Sequence, residues 1–223
     1  ATQLLKNSWP LIISGMMVSI YMKIDQIMIK EMLDAKAVGI YAAAVKLCEV
    51  LYFLPVATMT SLFPAVVESR NKSKTEYNRQ VQRIYEMMLG AALIVAIIIT
   101  FLSSWIVQFL YGLEFQETTA ILQIYIWAFV FVSLGVVSSK WLVAENLHKY
   151  ALIRSVIGVI INISSNLYLI PIYGIKGAAL STLITQIFVA YIFLLCFQST
   201  RYNFWLVSRA LTFGFHRHLF KKK

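Results

Sequence analysis

The chain has 223 residues, 60% of them apolar and 13% charged, with a net charge of +10 and a mean hydropathy of +0.73. Soluble domains run at about 45–50% apolar and 25% charged, so a soluble globular fold is excluded. The excess lies in continuous runs of about 20 residues, which suit membrane helices and not the alternating ten-residue strands of an outer-membrane barrel.

The fold class is therefore all-α, a polytopic membrane helix bundle of about six transmembrane helices. Spans are predicted at Trp9–Met32, Val38–Val67, Ile84–Tyr111, Ala120–Ala144, Tyr150–Ile170 and Gly177–Phe197. Residues 1–200 then form one bundle and residues 201–223 a basic amphipathic tail. The chain begins with Ala1 and has no signal-peptide pattern, so it reads as a fragment or the C-terminal part of a longer protein.

The first span, WPLIISGMMVSIYMKIDQIMIKEM, carries Lys23, Asp25 and Gln26. A charge at the centre of such a helix costs about 2.5–3.5 kcal/mol. Lys23 and Asp25 are two residues apart and face opposite ways, so each needs a partner elsewhere. The second span holds Lys46 and Glu49, three apart on one face. These can neutralise one another, or pair across helices as Asp25 with Lys46 or Lys23 with Glu49. Two readings stand: salt bridges that tie helices together, or a polar cavity that meets substrate or couples an ion. Asp25 is the best candidate for protonation, because burial disfavours a charged carboxylate. Pro55 and Pro64 invite kinks in the second span. Cys48 and Cys196 lie in apolar spans without metal-ligand spacing and read as small core residues.

The longest connector, Glu68–Arg83, is polar and strongly basic. With the N-terminus in the cytoplasm, that side collects Lys6, Arg70, Lys72, Lys74, Arg79, Arg83, Lys149, Arg201, Arg209, Arg217 and Lys221 to Lys223. The opposite side has only Lys30, Lys36 and Lys176, with Glu31, Asp34, Glu114 and Glu117. This bias places both ends inside. Lys140, near the inner end of the fourth span, reads as snorkelling to headgroups.

In the fifth span Arg154, Gly158, Asn162 and Asn166 recur every four residues, with Ser155 and Ser165 beside them. They form one helix face, which must meet protein or a water-filled path. Arg154 either lines a cavity or snorkels, and Asn162 and Asn166 either line it or bond between helices. Thr182, Thr185 and Gln186 make a weaker stripe in the sixth span. The tail, with Phe204, Trp205, Leu206, Leu211, Phe213 and Phe220 among basic residues, reads as a helix along the inner leaflet that binds anionic headgroups. A frayed tail is the alternative. There is no Gly-rich phosphate loop, zinc spacing or nucleophile triad, and His148, His216 and His218 form no ligand set. No catalytic residue, metal, cofactor or enzyme activity is expected. The basic residues flank apolar spans, so nucleic acid is not an expected partner either.

Four segments together resemble one transporter family. They are VGIYAAAVKLCEVLYFLPVATMTSLFPAV (Val38–Val66), DQIMI (Asp25–Ile29), YGLEFQETTAILQI (Tyr111–Ile124) and LYLIPIYGIKGAALST (Leu167–Thr182). Their order resembles the C-terminal half of the polysaccharide, or O-antigen (Wzx-type), flippases of the multidrug/oligosaccharidyl-lipid/polysaccharide (MOP) exporter superfamily. The resemblance implies a MATE/MOP-like half-transporter: the second six-helix half of a twelve-helix protein with pseudo-symmetric halves, working by alternating access. It implies a flippase that moves an undecaprenyl-pyrophosphate-linked oligosaccharide from the cytoplasmic to the periplasmic leaflet of a bacterial inner membrane, for lipopolysaccharide biosynthesis. The partners it implies are that lipid-linked oligosaccharide, membrane lipids, the missing N-terminal half and O-antigen polymerase machinery.

Such a substrate is anionic. Lys46 and Arg154, then Lys23, are assigned to the lining on that ground, with Asn162 and Asn166 beside them. Asp25 and Glu49 are assigned to ion coupling. The glycines of GIKGAA start a helix and permit close packing, and need not touch substrate. Two alternatives remain. A MATE-type cation or drug antiporter should line its cavity with acids, whereas the basic Lys23, Lys46, Lys140 and Arg154 outnumber the acidic Asp25 and Glu49 here. A non-transporting remnant of a truncated gene is the other.

Overall fold

In hydrocarbon a backbone can satisfy its own polar groups within one segment only as a helix. All regular elements among the described residues are accordingly helical. The structure is a computed structural model that describes residues 2–212, with the side chains of all but residues 2–8, 10 and 11. In chain order it contains α1 (Thr2–Met32), α2 (Ala35–Leu51), α3 (Phe53–Lys72), α4 (Lys74–Tyr111), α5 (Thr118–Ala144), α6 (His148–Tyr173) and α7 (Ile175–Ile187). A π-helical turn (Phe188–Ile192), α8 (Phe193–Cys196) and α9 (Arg201–Leu211) follow. Six of these stretches are long and apolar enough to span a membrane, with α2–α3 and α7–α8 each counting as one. The chain is a multi-pass membrane protein of the expected all-α class.

α5 is apolar all round, and such a helix belongs at the centre of a bundle. It buries 56% of its most apolar stretch, against 17% for α2–α3 and 22% for α1. Its Ile121, Leu122, Tyr125, Ile126, Leu134 and Leu142 are fully buried, and it packs on α2, α3, α4 and α7.

The most extensive helix pair is α1 with α6. Its geometry follows from two polar contacts. Ser14 Oγ lies 2.7 Å from Ser155 Oγ, and Asn166 Nδ2 donates to Asp25 Oδ1 at 2.7 Å. Both pairs are 141 residues apart in sequence, so the two helices run parallel and in fixed register. Ser14, Tyr21, Asp25 and Ile29 on α1 are buried, spaced by one or two helical turns. The facing residues on α6 are the predicted stripe: Arg154, Ser155, Gly158, Asn162 and Asn166 are all buried.

Several expectations need correction. The basic connector Glu68–Arg83 is almost wholly helical, broken only at Ser73 between α3 and α4. Its Lys, Arg, Glu and Gln residues are good helix formers, so the helices continue past the apolar runs. The second span is interrupted at Tyr52, one turn before Pro55, whose missing N–H cannot bond back to Leu51. Pro64 and Pro171 are carried within α3 and α6. Cys48 is buried, but Cys196 is exposed and is not a core residue. Lys140, half-buried near the end of α5, places its Nζ 5.2 Å from the centroid of the Phe63 ring.

Of the predicted tail, α9 buries Asn203, Leu206, Val207 and Ala210 and packs mainly on α4, while Tyr202 and Trp205 are exposed. Asn203 takes part in the core: Tyr85 Oη donates to its Oδ1 at 2.8 Å, and its Nδ2 donates to Ser138 Oγ at 2.9 Å. Phe213, Phe220, His216, His218, Arg217 and Lys221 to Lys223 lie outside the described residues.

The α6–α7 corner turns on two glycines with different jobs. Gly174 closes α6 at φ +59°, a left-handed conformation that favours glycine. A Cβ on Gly177 would stand 2.1 Å from the Leu169 carbonyl oxygen, so only glycine lets the helix start against that backbone. Gly177→Ala should therefore lower the yield of folded protein and its melting temperature in detergent far more than Gly174→Ala, whose positive-φ backbone costs about 1–3 kcal/mol. Equal melting shifts would show that the close backbone approach does not constrain the corner.

Candidate functional site

The first polar centre is built by the α1–α6 seam. Asp25 is 1% exposed, within the apolar span of α1. Tyr41 Oη from α2 donates to its Oδ2 at 2.8 Å, and Thr182 Oγ1 from α7 donates to the same oxygen at 2.5 Å. Asn166 Nδ2 from α6 donates to Oδ1 and also reaches Asn162 Oδ1 at 3.2 Å. Four helices thus converge on one carboxyl group, and each donor is neutral. The remaining amide atoms, Asn162 Nδ2 and Asn166 Oδ1, are buried beside it without a hydrogen-bond partner among the described residues.

This arrangement decides between the pairings open from the sequence. Asp25 does not pair with Lys46, and Lys46 does not pair with Glu49. Instead Lys23 Nζ meets Glu49 Oε1 at 2.7 Å, linking α1 to α2 on a face where the side chains are 56% and 29% exposed. Lys23 and Asp25 do point opposite ways, as a spacing of two requires. Lys46 is exposed on α2 and makes no ion pair among the described residues. Asn162 and Asn166 belong to the Asp25 cluster. Tyr41, its third donor, was not foreseen. Its apolar neighbours Ile40 and Ala42 to Val45 conceal it in the sequence, and only the fold shows the hydroxyl aimed at Asp25.

The second centre lies about 18 Å away, since Arg154 and Asn166 are 12 residues apart on α6. Arg154 is 8% exposed. Its Nη1 donates to Ser138 Oγ at 3.3 Å and its Nη2 to Ser139 Oγ at 2.6 Å, both on α5. It makes no ion pair among the described residues. The guanidinium lines a cleft of about 230 Å³ between α1, α3 and α5, with Tyr21, Tyr52, Ser139, Gln186 and Val189 in the walls. Gly158 makes room there: a Cβ would stand 2.9 Å from Val189 Cγ1. Val189 is carried by the π turn, a geometry that often marks functional positions in helices. The stripe Thr182, Thr185 and Gln186 is buried as a whole, and it connects the two centres along α7.

A buried cation whose partners are hydroxyls alone is under-compensated, because burying a charge without a counter-charge is costly. A buried carboxyl with only neutral donors is in the mirror position. One helix seam thus carries a buried guanidinium and a buried carboxyl, each hydrogen-bonded to neutral groups. Among the described residues no cluster of His, Cys, Asp and Glu could hold a metal ion.

The model of the MatE family matches residues 10–168, which carry Asp25, Lys46, Arg154 and both asparagines of the stripe. By sequence, no curated protein matches the chain.

Asp25→Ala should destabilise the bundle more than Asp25→Asn. Alanine leaves the donors of Tyr41, Asn166 and Thr182 without an acceptor, at about 1–3 kcal/mol for each unmet buried group. Asparagine keeps one oxygen, and the two hydroxyls can turn to accept from its amide. Thermal melts of both variants in one detergent check this, and a lower melting point for Asp25→Asn would contradict the donor arrangement.

Proposed function

Because the chain belongs to the MatE family, whose members are transporters and not enzymes, we propose that its cargo is a lipid-linked glycan whose phosphates dock on Arg154. The proposed cargo is the undecaprenyl-pyrophosphate-linked repeat unit of a surface polysaccharide, flipped from the cytoplasmic to the periplasmic leaflet of a bacterial inner membrane. The observation that carries the reading is the Arg154 guanidinium in the wall of its cleft, buried and without a carboxylate partner among the described residues. A diphosphate supplies the missing anion, and arginine binds phosphate oxygens through paired N–H donors. An exporter of organic cations gains nothing from this group. Lys46, exposed on α2, and Lys23, engaged by Glu49, do not line this cleft, and their proposed role is as further cationic contacts elsewhere along the path.

Asp25 is the proposed coupling group. A carboxylate in hydrocarbon is neutralised by a proton or by a bound cation, and either event changes what Tyr41, Asn166 and Thr182 can offer it. Binding and release of that ion on α1 would then bias the packing of α2, α6 and α7, which is how a gradient can drive alternating access. Glu49 is not given this role, since Lys23 occupies it. Basic residues gathered at one end of the spans support an orientation with both ends of the chain in the cytoplasm.

Expressed from the full gene in a flippase-null strain, Arg154→Ala should lower surface glycan at least tenfold, with membrane levels unchanged and lipid-linked intermediates accumulating. Lys46→Ala should have a smaller effect in the same direction. Wild-type glycan levels from both variants would remove the cationic-lining reading. Asp25→Asn should retain the fold but lose the dependence of transport on the ion gradient. Transport by this variant that still collapses with the gradient would exclude Asp25 as the coupling group.

A further inference from the structure

At the end of the bundle that carries Arg70, Lys74 and Arg201, the helices enclose a cleft of about 600 Å³. It shares no lining residue with the Arg154 cleft or the Asp25 cluster. Its walls come from the α3–α4 break, the end of α5 and the start of α9, with Arg70, Lys74, Tyr77, Trp141, Glu145 and Tyr202 facing it. Tyr77 and Trp141 are only 3% and 5% exposed. Trp141 Nε1 has no hydrogen-bond partner among the described residues. An indole N–H can only donate, so the group missing at Trp141 is an acceptor. Arg70 spends one nitrogen on Glu145 at 3.4 Å and keeps its other donors. Lys74 makes no ion pair among the described residues. Two cations against one carboxylate, with an unfilled buried donor in the same cleft, call for an anion with several oxygens.

We propose that this cleft is a binding site for an organic phosphate at the membrane surface, held by Arg70, Lys74 and the Trp141 indole N–H. The position favours that chemistry. Tyr77 precedes the apolar stretch that starts at Ile84 by seven residues, about 10 Å of helix, which puts the cleft at the level of headgroups and not of acyl chains. The volume exceeds that of a bare phosphate and admits a glycerol or sugar attached to it. The phosphate can come from an anionic phospholipid or from a soluble sugar phosphate.

Calorimetry on the full chain in detergent separates these sources. The probes are monomeric dihexanoyl phosphatidylglycerol and glucose 1-phosphate, each compared with its phosphate-free counterpart, dihexanoylglycerol and glucose. The phosphate forms should bind and the phosphate-free forms should not. Binding of the lipid alone identifies a membrane headgroup, binding of the sugar phosphate alone identifies a soluble ligand, and binding of both identifies the phosphate itself as the recognised group. Lys74→Gln, at the exposed start of α4, and Trp141→Phe, which keeps an aromatic ring but removes the donor, should each weaken binding about tenfold. Lys36→Gln, which is not in the cleft, should leave it unchanged. The proposal is overturned if neither phosphate probe binds, if the phosphate-free probes bind as tightly, or if Lys74→Gln binds like the wild type. Lys74→Gln is decisive even if Trp141→Phe folds poorly.

Discussion

A carboxyl group sealed in hydrocarbon needs hydrogen-bond donors, and for Asp25 these come from three other helices. That requirement fixes much of the arrangement. Tyr41 brings α2 against α1, Asn166 holds α6 parallel to α1, and Thr182 brings α7 into the same junction. The apolar contacts in this region are abundant but interchangeable, because lipid offers helix surfaces much the same dispersion as another helix does. Directed polar bonds select one register among many, and the matching Ser14–Ser155 contact confirms that register 11 residues earlier on both helices.

The spans could be read from composition, since a run of apolar residues in a membrane has one structural outcome. The α6 stripe could be read from its four-residue spacing, since residues so spaced share one side of a helix. Which helix that side meets could not. Asp25 and Asn166 are separated by 141 residues, and their contact exists only because α1 and α6 are neighbours. The ion pair of Lys23 with Glu49 was one of several that charge alone permitted, and the fold chose among them. Two features left little trace in sequence. The π turn at Phe188–Ile192 has no proline or glycine to announce it. Helix through the basic stretch around Ser73 was hidden because hydropathy reports the membrane and not the helix.

The two charged centres sit on one seam at different depths, and the protein treats them differently. Asp25 is fully supplied with donors and closed to solvent. Arg154 is held loosely by two serines at the edge of an open cleft, with its charge uncompensated. A group that only stabilised the bundle would be better replaced by an apolar residue, because buried charges rarely add net stability. One seam thus carries a closed carboxyl centre and a guanidinium in the wall of a cleft.

The corner at Gly177 has a mechanical consequence. The α7 start packs against the Leu169 backbone, and further along Ser181 Oγ donates to the Asn162 carbonyl at 3.0 Å, so α6 and α7 are tied to each other beyond the turn between them. They form a single lever whose arms carry Asn162, Asn166 and Arg154 on one side and Thr182, Gln186 and the π turn on the other. A tilt of that lever that moves Arg154 also moves two of the three donors to Asp25. The geometry at one end is thereby geared to the geometry at the other, without any contact between the two charges.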